Sequence, residues 1–101
     1  MYKRQALYDV TENKWQDTEL TEIAALTHIR IEPATKLVTD KQNRQITISA
    51  TLFYDCRNSR PLDVQFAQGQ KLQSGGIEYT VETIEMLYDE GKLHHLEVGL
   101  A

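Results

Sequence analysis

Apolar and polar side chains alternate with a period of two along much of this chain. That pattern suits extended strands with one buried face, because successive side chains on a strand point to opposite sides. It is clearest from Gln45 to Asp55. There Ile46, Ile48, Ala50, Leu52 and Tyr54 fall on one face, and Thr47, Ser49, Thr51 and Phe53 on the other. Upstream, Ile23, Ala25, Thr27, Ile29 and Ile31 alternate with Ala24, Leu26, His28, Arg30 and Glu32. The Ala-rich stretch Glu22–Leu26 also fits one helical turn, but the β-branched residues from Thr27 onward predict a strand. Pro33 cannot donate to a ladder and is expected to end it. Tyr2–Val10 reads as a further strand, turned at Thr11–Lys14 ahead of Trp15.

Two hairpins are expected near the C-terminal end. Gly75-Gly76 suits a two-residue loop that sets Leu72 opposite Tyr79, since glycine accepts positive φ at little cost. Asp89-Glu90-Gly91 is expected to be a three-residue loop with Gly91 left-handed. That register places Ile84 opposite Leu96, Leu87 opposite Leu93 and Glu85 opposite His95, matching like with like. A two-residue Glu90-Gly91 loop is the alternative, pairing Ile84 with Glu97. Because Tyr79 and Val81 are odd-numbered whereas Ile84 and Met86 are even, a bulge near Glu82-Thr83 must reset the face. The fold class predicted is mainly β: a small antiparallel barrel or sandwich formed by residues 1–101 as one domain, with little or no helix. Two long connections, Pro33–Arg44 and Cys56–Gln70, are expected to carry function or mobility.

Composition limits the function classes. A chain of 101 residues, 41% hydrophobic and 26% charged, is globular and sized for one core. No apolar run approaches the ~18 residues of a membrane span, and Met1–Gln5 has no signal-peptide core. The chain is therefore expected to avoid membranes and remain where it is made. The net charge of −4 arises in the second half: residues 1–50 hold seven basic and seven acidic side chains, and residues 51–101 hold four and eight. This argues against a dedicated nucleic-acid surface. Cys56 is the only cysteine, so an internal disulfide and a multi-thiolate zinc site are excluded, and a structural role is expected.

No catalytic set emerges from the residues. His94 and His95 are adjacent, and on a regular strand they would point to opposite faces and not share one ion. Glu82 and Glu85 flank the expected bulge, but nothing nearby suggests a raised pKa. The serines lack the setting of a nucleophile elbow, and Gly69, Gly75 and Gly76 form no phosphate-binding loop. The aromatics are not interleaved with basic residues as a single-strand-binding platform would require. The expectation is a protein without enzymatic activity, metal or cofactor.

Two separated segments carry a resemblance. Ala50–Pro61 (ATLFYDCRNSRP) resembles the "LFYD…NS.P" signature of a family of small phage minor capsid proteins, and Leu87–Leu100 (LYDEGKLHHLEVGL) resembles its "LYD…KLHHxExGL" tail. Ile29–Pro33 and the Tyr79-x-Val81 hairpin fit the same pattern. The resemblance implies a virion structural protein of a long-tailed phage that completes the head on the portal–adaptor stack and joins the tail. It implies partners among portal, adaptor and tail-proximal proteins, a homo-oligomeric ring on assembly, and a monomer in isolation. Synthesis would be in the bacterial host cytoplasm, including from a prophage. Candidate interface residues are Phe53, Tyr54, Asn58, Arg60 and Pro61, which combine aromatic anchors with an arginine; burial of Phe53 and Tyr54 on two faces of a strand is the competing account. Lys36, Lys41 and Arg44 would give a loop contacting channel DNA through phosphates, or else a solvated loop. The rival function is an oligonucleotide-binding or SH3-like barrel serving a cellular partner.

Overall fold

The computed structural model describes residues 5–12, 14–15, 17–39, 42–62 and 64–101, and among these described residues seven strands account for the regular structure. In chain order they are β1 (Gln5–Glu12), β2 (Thr18–Leu26), β3 (Arg30–Thr39), β4 (Gln45–Asp55), β5 (Lys71–Ser74), β6 (Ile77–Asp89) and β7 (Lys92–Leu100). All pairings are antiparallel, and the strands form one sheet in the order β2-β1-β5-β6-β7-β4-β3. The sheet does not close: β2 and β3 are its edges. It rolls so that one face lines a single core. Leu7 of β1, Ala24 and Leu26 of β2, Leu52 of β4, Leu72 of β5, Val81 of β6 and Val98 of β7 belong to one buried cluster. The fold is thus mainly β and antiparallel as the alternation requires, in an open form and not a closed barrel.

Strand β6 organises this arrangement. Its first residues, Ile77–Thr80, pair with β5, and the remainder, from Val81, pairs with β7. One extra residue, Glu82, interrupts the β6–β7 register between Val81↔Leu100 and Thr83↔Gly99. This is the bulge that the change of parity predicts, and bulges increase local twist, which helps the sheet to roll. The pairing continues beyond β7, where Thr80 and Ala101 exchange backbone bonds of 2.8 and 2.9 Å.

The Gly75-Gly76 turn forms with both φ angles positive (56° and 86°) and sets Leu72 opposite Tyr79 as expected. The second hairpin differs. Asp89 pairs with Lys92 across a two-residue loop whose Glu90 and Gly91 both have positive φ (51° and 79°), the pattern favoured for tight hairpins. The extra residue lies instead in β7 at His94, between Tyr88↔Leu93 and Leu87↔His95. Ile84 therefore faces Val98, and Glu85 faces Glu97. Matching like with like assigned the odd residue to the loop, whereas a bulge absorbs it within the strand.

Two further expectations are corrected. Pro33 does not end a strand, and Pro33–Arg44 is not a long loop, because β3 runs through to Thr39 and β4 begins at Gln45. Pro33 is tolerated because β3 is an edge strand and one extra residue falls between Pro33 and Lys36. The strand is hidden in the sequence because most of it is exposed on both faces. The alternation from Ile23 to Ile31 is likewise broken: β2 ends at Leu26, and His28 turns the chain with φ 56° before β3 begins. At the N-terminal end β1 persists past the expected turn, with Thr11 and Glu12 paired to Glu19 and Thr18; Asn13 and residues 1–4 lie outside the described residues.

Gly99 sits where β6, β7 and β4 crowd together. A Cβ there would collide with Thr83 Oγ1 and stand 2.9 Å from Ile48 Cδ1, which is fully buried. Gly99→Ala is expected to destabilise the fold by about 1–3 kcal/mol through overpacking, read as a lower urea midpoint with an unchanged slope.

Candidate functional site

The far end of β4 runs into a turn held by its own side chains. The Asp55 carboxylate accepts the Arg57 backbone N–H at 2.8 Å and the Asn58 amide at 3.0 Å. The Arg57 bond is the largest cause holding the Asp55 carboxyl below its ordinary value of 3.8, with the Asn58 side chain and His94 adding to it against a smaller opposing effect of burial. The sign follows: Asp55 supports the turn above that ordinary value, and its contribution is lost as pH falls through the lowered one. Ser59 is fully buried. Its Oγ accepts the Asp55 N–H at 2.9 Å and donates to the His28 carbonyl at 2.6 Å.

That second bond joins two distant parts of the chain. The left-handed kink at His28 is held against the turn by Ser59 and by reciprocal Thr27–Arg60 backbone bonds of 2.9 and 3.1 Å. The Arg60 guanidinium caps the turn by donating to the Arg57 and Ser59 carbonyls at 3.0 and 2.8 Å. Tyr54 donates its hydroxyl to the Pro61 carbonyl and meets the Phe66 ring edge-on at 5.8 Å. Val64 and Phe66 pack on the core, and buried Gln70 donates to Asp9 at 3.0 Å and Gln65 at 3.1 Å. Cys56–Gln70 is thus a long connection as expected, and it is fastened at several points.

An open cleft of about 540 Å³ lies over this junction, lined by all three histidines together with Arg30, Phe53, Asp55 and Glu97. Across strands β3, β4, β7 and β6 the residues Arg30, Phe53, Glu97 and Glu85 are in register, and beside them Asp55 pairs with His95. The Arg30 guanidinium lies over the Phe53 ring at 4.7 Å and forms an exposed ion pair with Glu32 at 3.0 Å. The bulge also corrects the expectation for the adjacent histidines. They do not diverge: their Nδ1 atoms are 3.0 Å apart and their rings meet edge-on. At that distance one nitrogen carries the proton and the other accepts it. The sequence does carry a signal for this, because Leu93 is odd whereas the buried Leu96, Val98 and Leu100 are even. Among the described residues, no group of three His, Cys, Asp or Glu side chains is placed to hold a metal ion.

The segments that carry the family resemblance are neighbours in the sheet, joined by Phe53↔Glu97 and Asp55↔His95 and by the Cys56 N–H to His94 carbonyl bond of 3.1 Å. Of the candidate interface residues, Asn58, Arg60 and Pro61 are exposed, Phe53 is half-buried, and Tyr54 is buried as a strut for the turn. Lys36 and Arg44 are exposed on the hairpin formed by β3 and β4; Lys41 lies outside the described residues. Cys56 is half-buried, and burial pushes its thiol above the ordinary range, with the Asp55 charge adding to the effect.

Residues 4–100 match the family model for a minor capsid protein. Among curated proteins none matches the sequence. The chain is similar to a solved structure of the phage-like element PBSX protein xkdH from Bacillus subtilis, which aligns over 100% of this chain and 94% of its own at 11% identity and a TM-score of 0.44.

Ser59→Ala leaves the His28 carbonyl and the Asp55 N–H without their shared partner. It is expected to cost about 1–3 kcal/mol in denaturant unfolding and to speed amide exchange at residues 27–30 and 55–60. Cys56 is expected to react with iodoacetamide at pH 7.5 more slowly than a free cysteine peptide, with the two rates converging on unfolding in urea.

Proposed function

This chain belongs to the minor capsid protein family, and from that premise we propose that it is a head-completion subunit of a tailed phage, added to the portal–adaptor stack where the tail will join. As a family member it is a component of the virion and associates with other virion proteins. The observation that carries the reading is the family match across residues 4–100. The geometry supports it in two ways. Both edges of the sheet are open to further contacts, and Asn58, Arg60 and Pro61 form a rigid exposed turn suited to a neighbouring subunit.

In this reading the protein is a monomer when purified and forms a ring on the portal–adaptor stack, with cyclic heterologous contacts that close by rotation. It is synthesised in the host cytoplasm and ends in the particle. It performs no catalytic step; its work is to extend and seal a conduit that tail proteins then meet. The rival reading, a barrel module for a cellular partner, receives no support from a sheet whose edges remain open.

Deleting the gene in the producing phage or prophage is expected to give lysates that hold DNA-filled or leaking heads and separate tails, with a large loss of infectious titre. Complete tailed particles at normal titre would remove the head-completion assignment. An immunoblot of purified wild-type particles tests separately whether the protein is present in the virion at all.

A further inference from the structure

The two edges of the sheet differ in charge. The hairpin ending in edge β2, Gln5–Leu26, holds Asp9, Glu12, Asp17, Glu19 and Glu22 against Lys14 alone. Among the described residues, the opposite edge and the approach to β4, Arg30–Gln45, hold Arg30, Lys36 and Arg44 against Glu32. The acidic arm therefore has a formal charge of −4 and the basic arm +2. Both edges are long and lack a burying layer. β2 is exposed from Thr18 to Ile23, and eight of the ten β3 residues are exposed, with the other two only half-buried. Each arm also presents apolar side chains to solvent. Val10 and Leu20 face each other across β1 and β2, and Leu37 stands out from β3 at 61% exposure.

Exposed edges of this length normally carry protection such as a covering element, a proline or a bulge. β3 has Pro33 and the irregularity before Lys36, which leave its Lys36–Thr39 part for pairing, and the charge on each edge repels its own kind and attracts the other. Building on the assembly reading above, we propose that β2 of one copy pairs with β3 of the next, so that the sheet continues from subunit to subunit. The occupant of each edge is a second copy of this chain. Backbone groups supply the adhesion, as in strand addition generally. Opposite charges select the β2–β3 contact over β2–β2 and β3–β3. Leu20 and Leu37 contribute apolar surface that isolated copies leave in water. The contact is heterologous, so it propagates around a ring and does not stop at a dimer.

The test uses particles from a phage complemented with the full chain bearing Cys56→Ser, Thr21→Cys on β2 and Leu37→Cys on β3, treated with a short bifunctional maleimide. The expected result is a ladder of cross-linked oligomers, absent when either new cysteine is omitted. Glu19→Lys with Glu22→Lys should reduce the ladder about tenfold, and adding Lys36→Glu with Arg44→Glu to the same chain should restore it. Protein present in particles without a ladder, or one product formed equally by either single-cysteine chain, overturns the edge contact and leaves the virion assignment standing. Protein absent from wild-type particles overturns that assignment and this inference together. Charge reversal that alters DNA retention but not cross-linking assigns the basic arm to DNA and overturns the contact.

Discussion

The packing of Leu7, Leu72, Val81, Leu52 and Val98 into one cluster depends on strand β6 bending between two sets of partners. A flat seven-stranded sheet has no means of burying a face against itself. The extra residue at Glu82 lets β6 serve β5 with one part and β7 with the other, and the core forms inside the resulting curve. The second irregularity, at His94 of β7, restores the register that Glu82 shifts, so the ladder has the same offset at both of its ends. The two bulges operate as a pair: one shifts the β6–β7 ladder by a residue, and the other shifts it back ahead of the Asp89–Lys92 hairpin end.

Around this frame the polar chemistry is concentrated at one place. The turn after β4 takes its shape from Asp55 and Ser59, and Ser59 reaches back to His28, where the chain leaves β2 for β3. A residue with no exposed surface thereby fixes the geometry of two exposed segments. The cleft above it contains imidazole, carboxylate, guanidinium and aromatic groups within one register block of the sheet. That assortment suits a protein surface that meets another protein, where specificity comes from complementary side chains held on rigid elements.

Much of this was legible in the sequence, for identifiable reasons. β4 was readable to the residue because one of its faces is buried, and so was the Gly75-Gly76 turn because both positions need positive φ. The bulge at Glu82 followed from parity alone. What escaped detection shares one cause, which is that burial supplies the alternation signal. β3 is exposed on both faces over most of its length, so nothing selects apolar residues at every second position, and Pro33 then reads as a terminator. His94 was misplaced because register counted from a turn assumes an unbroken ladder. The staple from Ser59 to His28 spans 31 positions and consists of one hydroxyl and one backbone carbonyl; no residue pattern announces a bond whose acceptor is the main chain.

The strand order has a consequence for direction. Seven strands that alternate strictly leave the first and last pointing the same way, whereas an even number would leave them opposed. If copies join β2 to β3 with their strand senses kept, as rotation about an axis along the strands would do, the new ladder is parallel, although every pairing inside one copy is antiparallel. Parallel ladders have slanted bonds and are slightly weaker per residue. A continuous belt built in this way has its softer seams between subunits and its firmer ladders within them. Under strain it would part into whole subunits before any one of them unravelled.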